Sequence, residues 1–229
     1  MSCWHTFVAL ALAAPWLGAQ AGRPLATEDA AVLERGDCEW ESFAARAAER
    51  QASAVNALST QLGCGFGFGT QVALAVQRQT SDGRHVNALV LGGKTGLVEG
   101  KDGTPGLTLA WGLAAVKQPG DALKHERTAL YLVLSQELAK ALTGHANLGW
   151  VRSQRTGDSA VTWNVAAEYA LGGGVDVMAE TYGAQHDKPR LGAGLRFAAT
   201  DKLSFDASYS LQSGAAKARL WTLGAKLVF

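Results

Sequence analysis

The chain has 229 residues, a formal net charge of +1 and only 18% charged residues. This length suits a single domain. A near-neutral chain without a basic run does not predict a nucleic-acid partner.

Residues 1–21 are predicted to be an export signal. An apolar stretch runs from Phe7 to Ala19, and Ala19, Gln20 and Ala21 give the small-x-small pattern of a cleavage site. The stretch is shorter than the roughly 20 residues that a membrane-anchoring helix needs. Cleavage is therefore favoured over anchoring, although the first five residues lack the Lys or Arg expected of a signal. No later segment reaches spanning-helix length, so a membrane interpretation has to rest on strands.

Residues 22–37 are charged and lack the period of a strand. We interpret them as a periplasmic N-terminal leader ahead of the first strand. The leader either tucks into the mouth of a barrel or forms a disordered tail.

Removal of the signal would take Cys3 away and leave two cysteines, Cys38 and Cys64. A hairpin that turns near Gln51, their midpoint, would place the two residues opposite each other, close enough for a disulfide. An oxidising periplasm favours that bond over two unlinked buried thiols. Without a Cys-x-x-Cys motif, the bond is expected to be structural and not a redox site.

From residue 38 onward, apolar and polar residues alternate in runs of about ten, as in Leu203, Phe205, Ala207, Tyr209 and Leu211. This period predicts an all-β fold, a single antiparallel transmembrane β-barrel over residues 38–229. The predicted strands are 38–50, 54–64, 69–80, 85–98, 105–116, 127–137, 142–153, 160–171, 174–184, 189–199, 203–212 and 218–229. Twelve strands would place both ends in the periplasm, but strands three to six alternate less cleanly and leave ten or fourteen open. Short turns at 172–174 and 200–202 are assigned to the periplasm, and longer connections at 117–126 and 152–159 to the outside.

The closing strand carries outward-facing Trp221, Leu223, Leu227 and Phe229. An apolar face ending in an aromatic carboxy-terminus looks like the assembly signal of bacterial outer-membrane barrels. It implies location in the outer membrane of a Gram-negative cell, with outer-membrane lipid and the barrel-assembly machinery as partners.

Alternation places four charged residues on the lumenal face, one on each of the last four strands: Glu180, Arg196, Asp206 and Lys226. The turn near Thr200 would set Arg196 opposite Asp206, and the next turn would bring Lys226 near Asp206. One hypothesis is a charge ladder that holds the wall in register. The other is an eyelet that selects polar or ionic solutes.

Catalysis and metal binding find little support in the sequence. Lipid-cleaving barrels use a His-x-Ser motif, but His145 is followed at the required position by Asn147, so the histidine has no nucleophile to activate. The other histidines are scattered without ligand spacing. No catalytic residue, metal or cofactor is predicted.

Several segments resemble a proteobacterial group of small outer-membrane proteins. They are Arg23 to Ala30, Gly36 to Glu39, Gly93 to Thr95, His145 to Trp150, Ala179 to Gly183 and the closing strand. That group is loosely related to outer-membrane transporters of the phenol-degradation (MetA-pathway) type. The resemblance implies a barrel in the outer membrane and solute uptake, and it supplies no catalytic residues.

The leading hypothesis is therefore a narrow channel or transporter for small solutes, with aromatic or hydrophobic ones as the suggested class. A structural barrel with a plugged lumen and no transport is the alternative. A lipid-modifying outer-membrane enzyme is the third.

Overall fold

The computed structural model describes residues 23–50, 52–101, 103–214 and 217–229. The predicted signal at 1–21 lies outside these ranges. In the described residues, twelve β-strands close into one barrel. None of the described residues belongs to a helix long and apolar enough to cross a membrane.

The strands follow one another around the barrel in chain order. Their bounds are β1 Cys38–Ala48, β2 Val55–Gly67, β3 Thr70–Ser81, β4 Arg84–Val98, β5 Gly106–Lys117, β6 Lys124–Ala139, β7 Leu142–Ser153, β8 Ser159–Gly172, β9 Val175–Ala184, β10 Arg190–Ala198, β11 Leu203–Gln212 and β12 Arg219–Val228.

The prediction of a closed twelve-stranded antiparallel barrel is confirmed. The seam forms where β1 pairs with β12, and Cys38 and Phe229 exchange two backbone hydrogen bonds of 2.9 Å. The largest differences from the predicted bounds are three residues: β2 ends at Gly67, three residues later than expected, and β6 begins at Lys124, three residues earlier. A bulge on β6, where Glu126 is the extra residue opposite Ala114 and Ala115 of β5, allows His125 and Lys124 to continue the pairing.

An even strand number places both ends of the barrel at the same edge. We call this edge the terminal rim; it carries Cys38, Phe229 and the connections 68–69, 99–105, 140–141, 173–174 and 199–202. The opposite rim carries the connections 49–54, 82–83, 118–123, 154–158, 185–189 and 213–218. The tight turn at 173–174 needs glycine, since Gly173 and Gly174 have φ of 63° and 79°.

Burial in the barrel is the reverse of that in a soluble protein. Outward Leu58, Leu191 and Leu223 are 62–66% exposed, whereas inward Gln71 and Lys94 are each 3% exposed. Apolar side chains outside and polar side chains inside are the pattern of a wall between lipid and a polar lumen.

The closing strand shares this pattern. Trp221, Leu223 and Phe229 are all more than half exposed, and Leu227 lies on the same face of β12. Tyr209 on β11 packs against Trp221 with 4.2 Å between ring centroids. The role of this strand in assembly stays a prediction.

The disulfide predicted from the spacing of the cysteines is present. Cys38 lies directly opposite Cys64 in the β1–β2 register, and their sulfur atoms are bonded. The bond ties β2 to the seam strand at the terminal rim.

Candidate functional site

The leader, of which the structure describes residues 23–37, runs from the terminal rim into the lumen. At the rim Arg35 forms a parallel bridge with Gly65 on β2, and the Gly36 N–H donates to the Gly65 carbonyl at 3.1 Å. A Cβ at position 65 would lie 2.0 Å from the carbonyl oxygen of Glu34. Only glycine therefore lets the leader lie this close to the inner wall.

The middle of the leader is bound through its backbone by side chains of the wall. The Leu33 N–H donates to the Gln71 side-chain oxygen on β3 at 2.5 Å. The Ala30 N–H donates to Ser135 Oγ on β6 at 2.8 Å, and Thr108 on β5 donates to the Ala30 carbonyl at 2.7 Å. Backbone polar groups removed from water need such partners, and here side chains of three strands provide them.

Two asparagines bind the next part of the leader. Asn147 on β7 accepts a hydrogen bond from the Glu28 N–H at 2.7 Å and donates to the Glu28 carbonyl at 3.0 Å. Asn164 on β8 donates to the Ala26 carbonyl at 2.8 Å. The Asn147 amide thus makes both hydrogen bonds that a neighbouring strand would have made.

Lys94 on β4 binds the acidic residues of the leader. Its ammonium lies 3.0 Å from the Glu28 carboxylate and donates to the Asp29 carbonyl, also at 3.0 Å. Lys94 is 3% exposed and Glu28 5%. Removing one partner from such a buried ion pair leaves a charge without compensation, which costs far more than the pair itself contributes.

Glu180 on β9 binds the leader at Ala26 and Thr27. Its carboxylate accepts hydrogen bonds from both N–H groups at 3.0 Å and from the Thr27 hydroxyl at 2.8 Å. Hydrogen bonds to an ionised carboxylate are stronger than those between neutral groups. Gly192 on β10 leaves the necessary space, since a Cβ there would lie 2.9 Å from the Glu180 side chain.

The described end of the leader is held at Arg23, beside the middle of β12. The guanidinium donates to both oxygens of Asp206 on β11, at 2.5 and 3.2 Å, and lies 4.2 Å above the Phe43 ring on β1. A Cβ at Gly224 would meet the guanidinium at 2.5 Å. Between Arg35 and Arg23, the leader thus contacts the inner wall from β2 round the barrel to β11 and β1.

The predicted charge ladder needs correction in its pairings. Arg196 and Asp206 are directly opposite each other in the register, as predicted, but their side chains do not pair. Asp206 binds Arg23, while Arg196 binds Asp176 at 2.9 Å and also Glu168. The physical reason is that Arg23, supplied by the leader, takes the Asp206 carboxylate, and Asp176 faces Arg196 from the other neighbouring strand.

The expected proximity of Lys226 to Asp206 is also wrong. Across β11 the register partner of Lys226 is Ser204, and across the seam it is Glu41. The ammonium accordingly binds Glu39 at 2.7 Å and Glu41 at 3.3 Å on β1. Two members of the predicted ladder, Glu180 and Asp206, hold the leader, and the other two connect strands; a role in ion selectivity stays a prediction.

Above the leader, toward the opposite rim, the lumen contains a cavity of about 300 Å³. Leader residues Ala26 and Glu28 form part of its lining, together with Tyr131, Tyr182 and Asn147. The Tyr182 hydroxyl lies 2.9 Å from Ser210 Oγ. We call this cavity the vestibule; it leads from the opposite rim to the leader.

A serine–histidine pair that the sequence did not predict also lies in the lumen. Ser135 and His145 are opposite each other in the β6–β7 register, and Ser135 Oγ is 2.8 Å from His145 Nδ1. The same Ser135 oxygen accepts the Ala30 N–H. The pair thus belongs to the contacts that hold the leader. Among the described residues, no group of three or more His, Cys, Asp or Glu side chains is placed to hold a metal ion.

Sequence reasoning missed the uncharged residues that bind the leader: Gln71, Thr108, Ser135, Asn147 and Asn164. Alternation assigns each of them to the inner face, but in a water-filled lumen such residues would be ordinary lining. No local pattern distinguishes a lining asparagine from one that binds a distant segment.

These features define the class of the protein: it has the fold of an outer-membrane β-barrel, with its lumen crossed by its own N-terminal segment. The chain belongs to the family described as uncharacterised conserved protein UCP029691, whose model matches residues 8–229. No curated protein matches the chain.

Solved structures with the same fold include channels and an enzyme. An outer-membrane channel from Pseudomonas putida F1 superposes with a TM-score of 0.62 at 12% identity, covering 88% of this chain and 98% of that one. The NanC porin has a TM-score of 0.59 at 12% identity, with 82% and 98% coverage. Outer membrane phospholipase A from Escherichia coli has a TM-score of 0.50 at 9% identity, with 90% and 92% coverage. At these identities the likeness concerns the fold alone.

Proposed function

We propose that the protein is an outer-membrane channel for small solutes whose lumen is constricted by its own leader. The observation that carries the proposal is the path of residues 23–37, which are bound to inward side chains around the barrel. The shared fold with porins and channels supports it. We place the terminal rim, with both ends of the barrel, in the periplasm, and the opposite rim outside the cell.

The proposed solutes are small organic molecules with an aromatic ring. A vestibule of about 300 Å³ lies at the lower end of the range for small-molecule sites. Tyr131 and Tyr182 offer rings, while Asn147 and Ser153 offer hydrogen bonds to a polar substituent. The resemblance of the sequence to transporters of the phenol-degradation type supports this solute class.

The contacts suggest which part of the leader moves. Residues near Gly36 are tied to β2 through backbone hydrogen bonds beside the disulfide, so this end forms a fixed anchor. The part from Arg23 to Ala30 is held only by side chains, chiefly Asp206, Glu180 and Asn147. Loss of these contacts would free this part while the anchor stays in place, which widens the passage below the vestibule.

A structural barrel with a permanently plugged lumen is the second candidate. It is favoured by the burial of the leader, since Thr27 is 2% and Glu28 5% exposed. A lipid-cleaving role is not favoured, because Ser135 and His145 face the lumen and Ser135 is engaged by Ala30.

Single-channel conductance in planar bilayers tests the proposal. We expect few openings from the full-length mature protein and frequent, larger openings from a variant that lacks residues 22–34. The deletion keeps Arg35 and Gly36 for the contact with β2. Because it would leave Lys94, Glu180 and Asp206 without their leader partners, it is combined with Lys94→Gln, Glu180→Gln and Asp206→Asn.

The full-length protein with the same three substitutions and no deletion is the matched control, and it should show an intermediate open probability. Heat-dependent gel mobility confirms that each variant forms a closed barrel. If the folded deletion variant stays electrically silent, the channel proposal is wrong and the plugged structural barrel is favoured.

A further inference from the structure

The outward faces of the two rims differ in chemistry. At the terminal rim the outward side chains are large and apolar, as in Phe66, Leu97, Leu138, Leu171 and Phe197, each at least half exposed. At the opposite rim, the outward face of β1 to β5 carries cations. A barrel with one apolar and one cationic margin matches a membrane whose two leaflets differ in headgroup charge.

The cations form a belt in two adjacent rows, since Asn56 pairs with Thr80 and not with Arg78. Arg46, Arg78 and Lys117 lie on β1, β3 and β5, and the strands between them contribute Asn56 and Asn87; we call these five residues the basic belt. Asn56 is the register partner of Arg46, and Asn87 is the register partner of both Arg78 and Lys117. Since neighbouring strands lie about 4.8 Å apart, Arg78 and Lys117 are separated by about 10 Å, and Arg46 is further offset from Arg78 by two residues along the strand. The belt thus presents three cations and two amides to one face.

Charges in the adjoining turns do not cancel the belt. The connections 49–54, 82–83 and 118–123 and the strand ends beside them hold three acids and three bases: Glu49, Asp82, Asp121, Arg50, Arg84 and Lys124. Lys124 and Asp121 lie 3.9 Å apart. Arg46 donates to Asn56 at 2.9 Å, which orients its guanidinium along the wall without neutralising it.

Beside the belt the outer wall is hollowed. Ala44 on β1 stands between Leu58 and Leu223 in the register of the two neighbouring strands, so a small side chain is flanked by two large ones. Two adjoining depressions of about 650 and 1030 Å³ result. Belt residues Arg46 and Arg78 line them together with the three apolar side chains.

We propose that this surface binds a phosphorylated glycolipid of the outer leaflet, the lipid A part of lipopolysaccharide. Its phosphates lie on the basic belt, where charge-assisted hydrogen bonds from Arg and Lys hold them, and its acyl chains lie along the hollow. A soluble anion would contact the basic belt and leave the apolar hollow empty. A phospholipid with one phosphate would engage only part of a belt that spans five strands.

The site uses only the outer wall and is independent of conduction through the lumen. It relies on the proposed orientation, in which the opposite rim faces the outer leaflet. The proposal can therefore fail while the channel proposal stands, and the reverse.

Binding of purified hexa-acylated lipid A to the refolded full-length protein tests the site. Detergent-solubilised protein is titrated and the bound fraction is read by native mass spectrometry. The variant Arg46→Gln/Arg78→Gln/Lys117→Gln should bind at least tenfold more weakly, because each cation near an anionic surface contributes to affinity. Dephosphorylated lipid A should bind wild type as weakly as lipid A binds the variant, and phosphatidylglycerol should also bind wild type weakly.

The matched control is Lys101→Gln/Lys140→Gln/Lys202→Gln, which removes the same charge from exposed positions at the terminal rim. It should bind lipid A like wild type, and all three proteins should show the same heat-dependent gel mobility. The proposal is overturned if the belt variant binds lipid A as tightly as the control does. Equal binding of wild type to phosphatidylglycerol, or to dephosphorylated lipid A, overturns it as well.

Discussion

At the scale of single residues, the lumen is built from side chains that replace missing backbone partners. The leader has no strand period, so it does not join the sheet over most of its length. Glu28 instead meets Asn147, which is 119 residues away in sequence. The inward position of Asn147 follows from alternation along β7. Its partner could not be predicted, because nothing local in either segment encodes a contact over that distance.

Replacing Asn147 with Leu should loosen the leader. The substitution keeps the approximate volume but leaves the N–H and carbonyl of Glu28 without partners. An unmade hydrogen bond on a buried group costs about 1–3 kcal/mol, so the free energy of holding the leader should fall by about that amount. Faster hydrogen–deuterium exchange in a peptide covering residues 23–31 is the measurement. Asn87→Leu, on the outer wall, is the control and should leave this exchange unchanged; equal exchange in the two variants would contradict the assignment.

At the scale of elements, the strands were predictable because lipid and lumen impose the same period on every one of them. All twelve were located within a few residues. The register of the β1–β2 hairpin followed from the cysteine positions alone, and the disulfide confirms it. The early start of β6 was not predictable, because the bulge at Glu126 breaks the alternation before the strand continues to Lys124.

Removing the disulfide should weaken the seam. The bond joins residues 26 apart in sequence, and closing a loop of that size in the unfolded chain is worth at most about 3–4 kcal/mol. Cys38 also exchanges backbone hydrogen bonds with Phe229, so loss of the disulfide should also weaken the pairing of β1 with β12. The double variant Cys38→Ala/Cys64→Ala should therefore lose heat-resistant gel mobility at a lower temperature than the oxidised protein. Reductant should lower the transition of wild type and leave the variant unchanged; a transition insensitive to both treatments would contradict a stabilising role.

At the scale of the whole molecule, the leader lies between the vestibule and the terminal rim. The leader enters from the terminal rim, whereas the vestibule opens toward the opposite rim. The sequence predicts a ladder of charges along the inner face of β9 to β12. In the folded barrel, Asp206 and Glu180 bind a segment that the wall itself does not contain. The alternation along the strands predicts where such residues lie but not which groups they bind.

This arrangement predicts a sided block of the open barrel. A synthetic peptide of residues 22–34, added to the variant lacking 22–34 but with native Lys94, Glu180 and Asp206, should restore the contacts of Arg23, Thr27 and Glu28 and reduce conductance. It should act from the side of the terminal rim, because the native segment enters the lumen there. A peptide added from the side of the opposite rim would have to cross the vestibule first and would enter the lumen in the opposite direction to the native leader. The measurement is single-channel current in a bilayer with oriented barrels and the peptide in one chamber at a time.

A scrambled peptide of the same charge is the control, and raised salt should weaken the block because two ion pairs form part of the contact. A block of equal strength from both chambers, or by the scrambled peptide, would show that the leader acts by bulk and charge and not through its specific place on the wall.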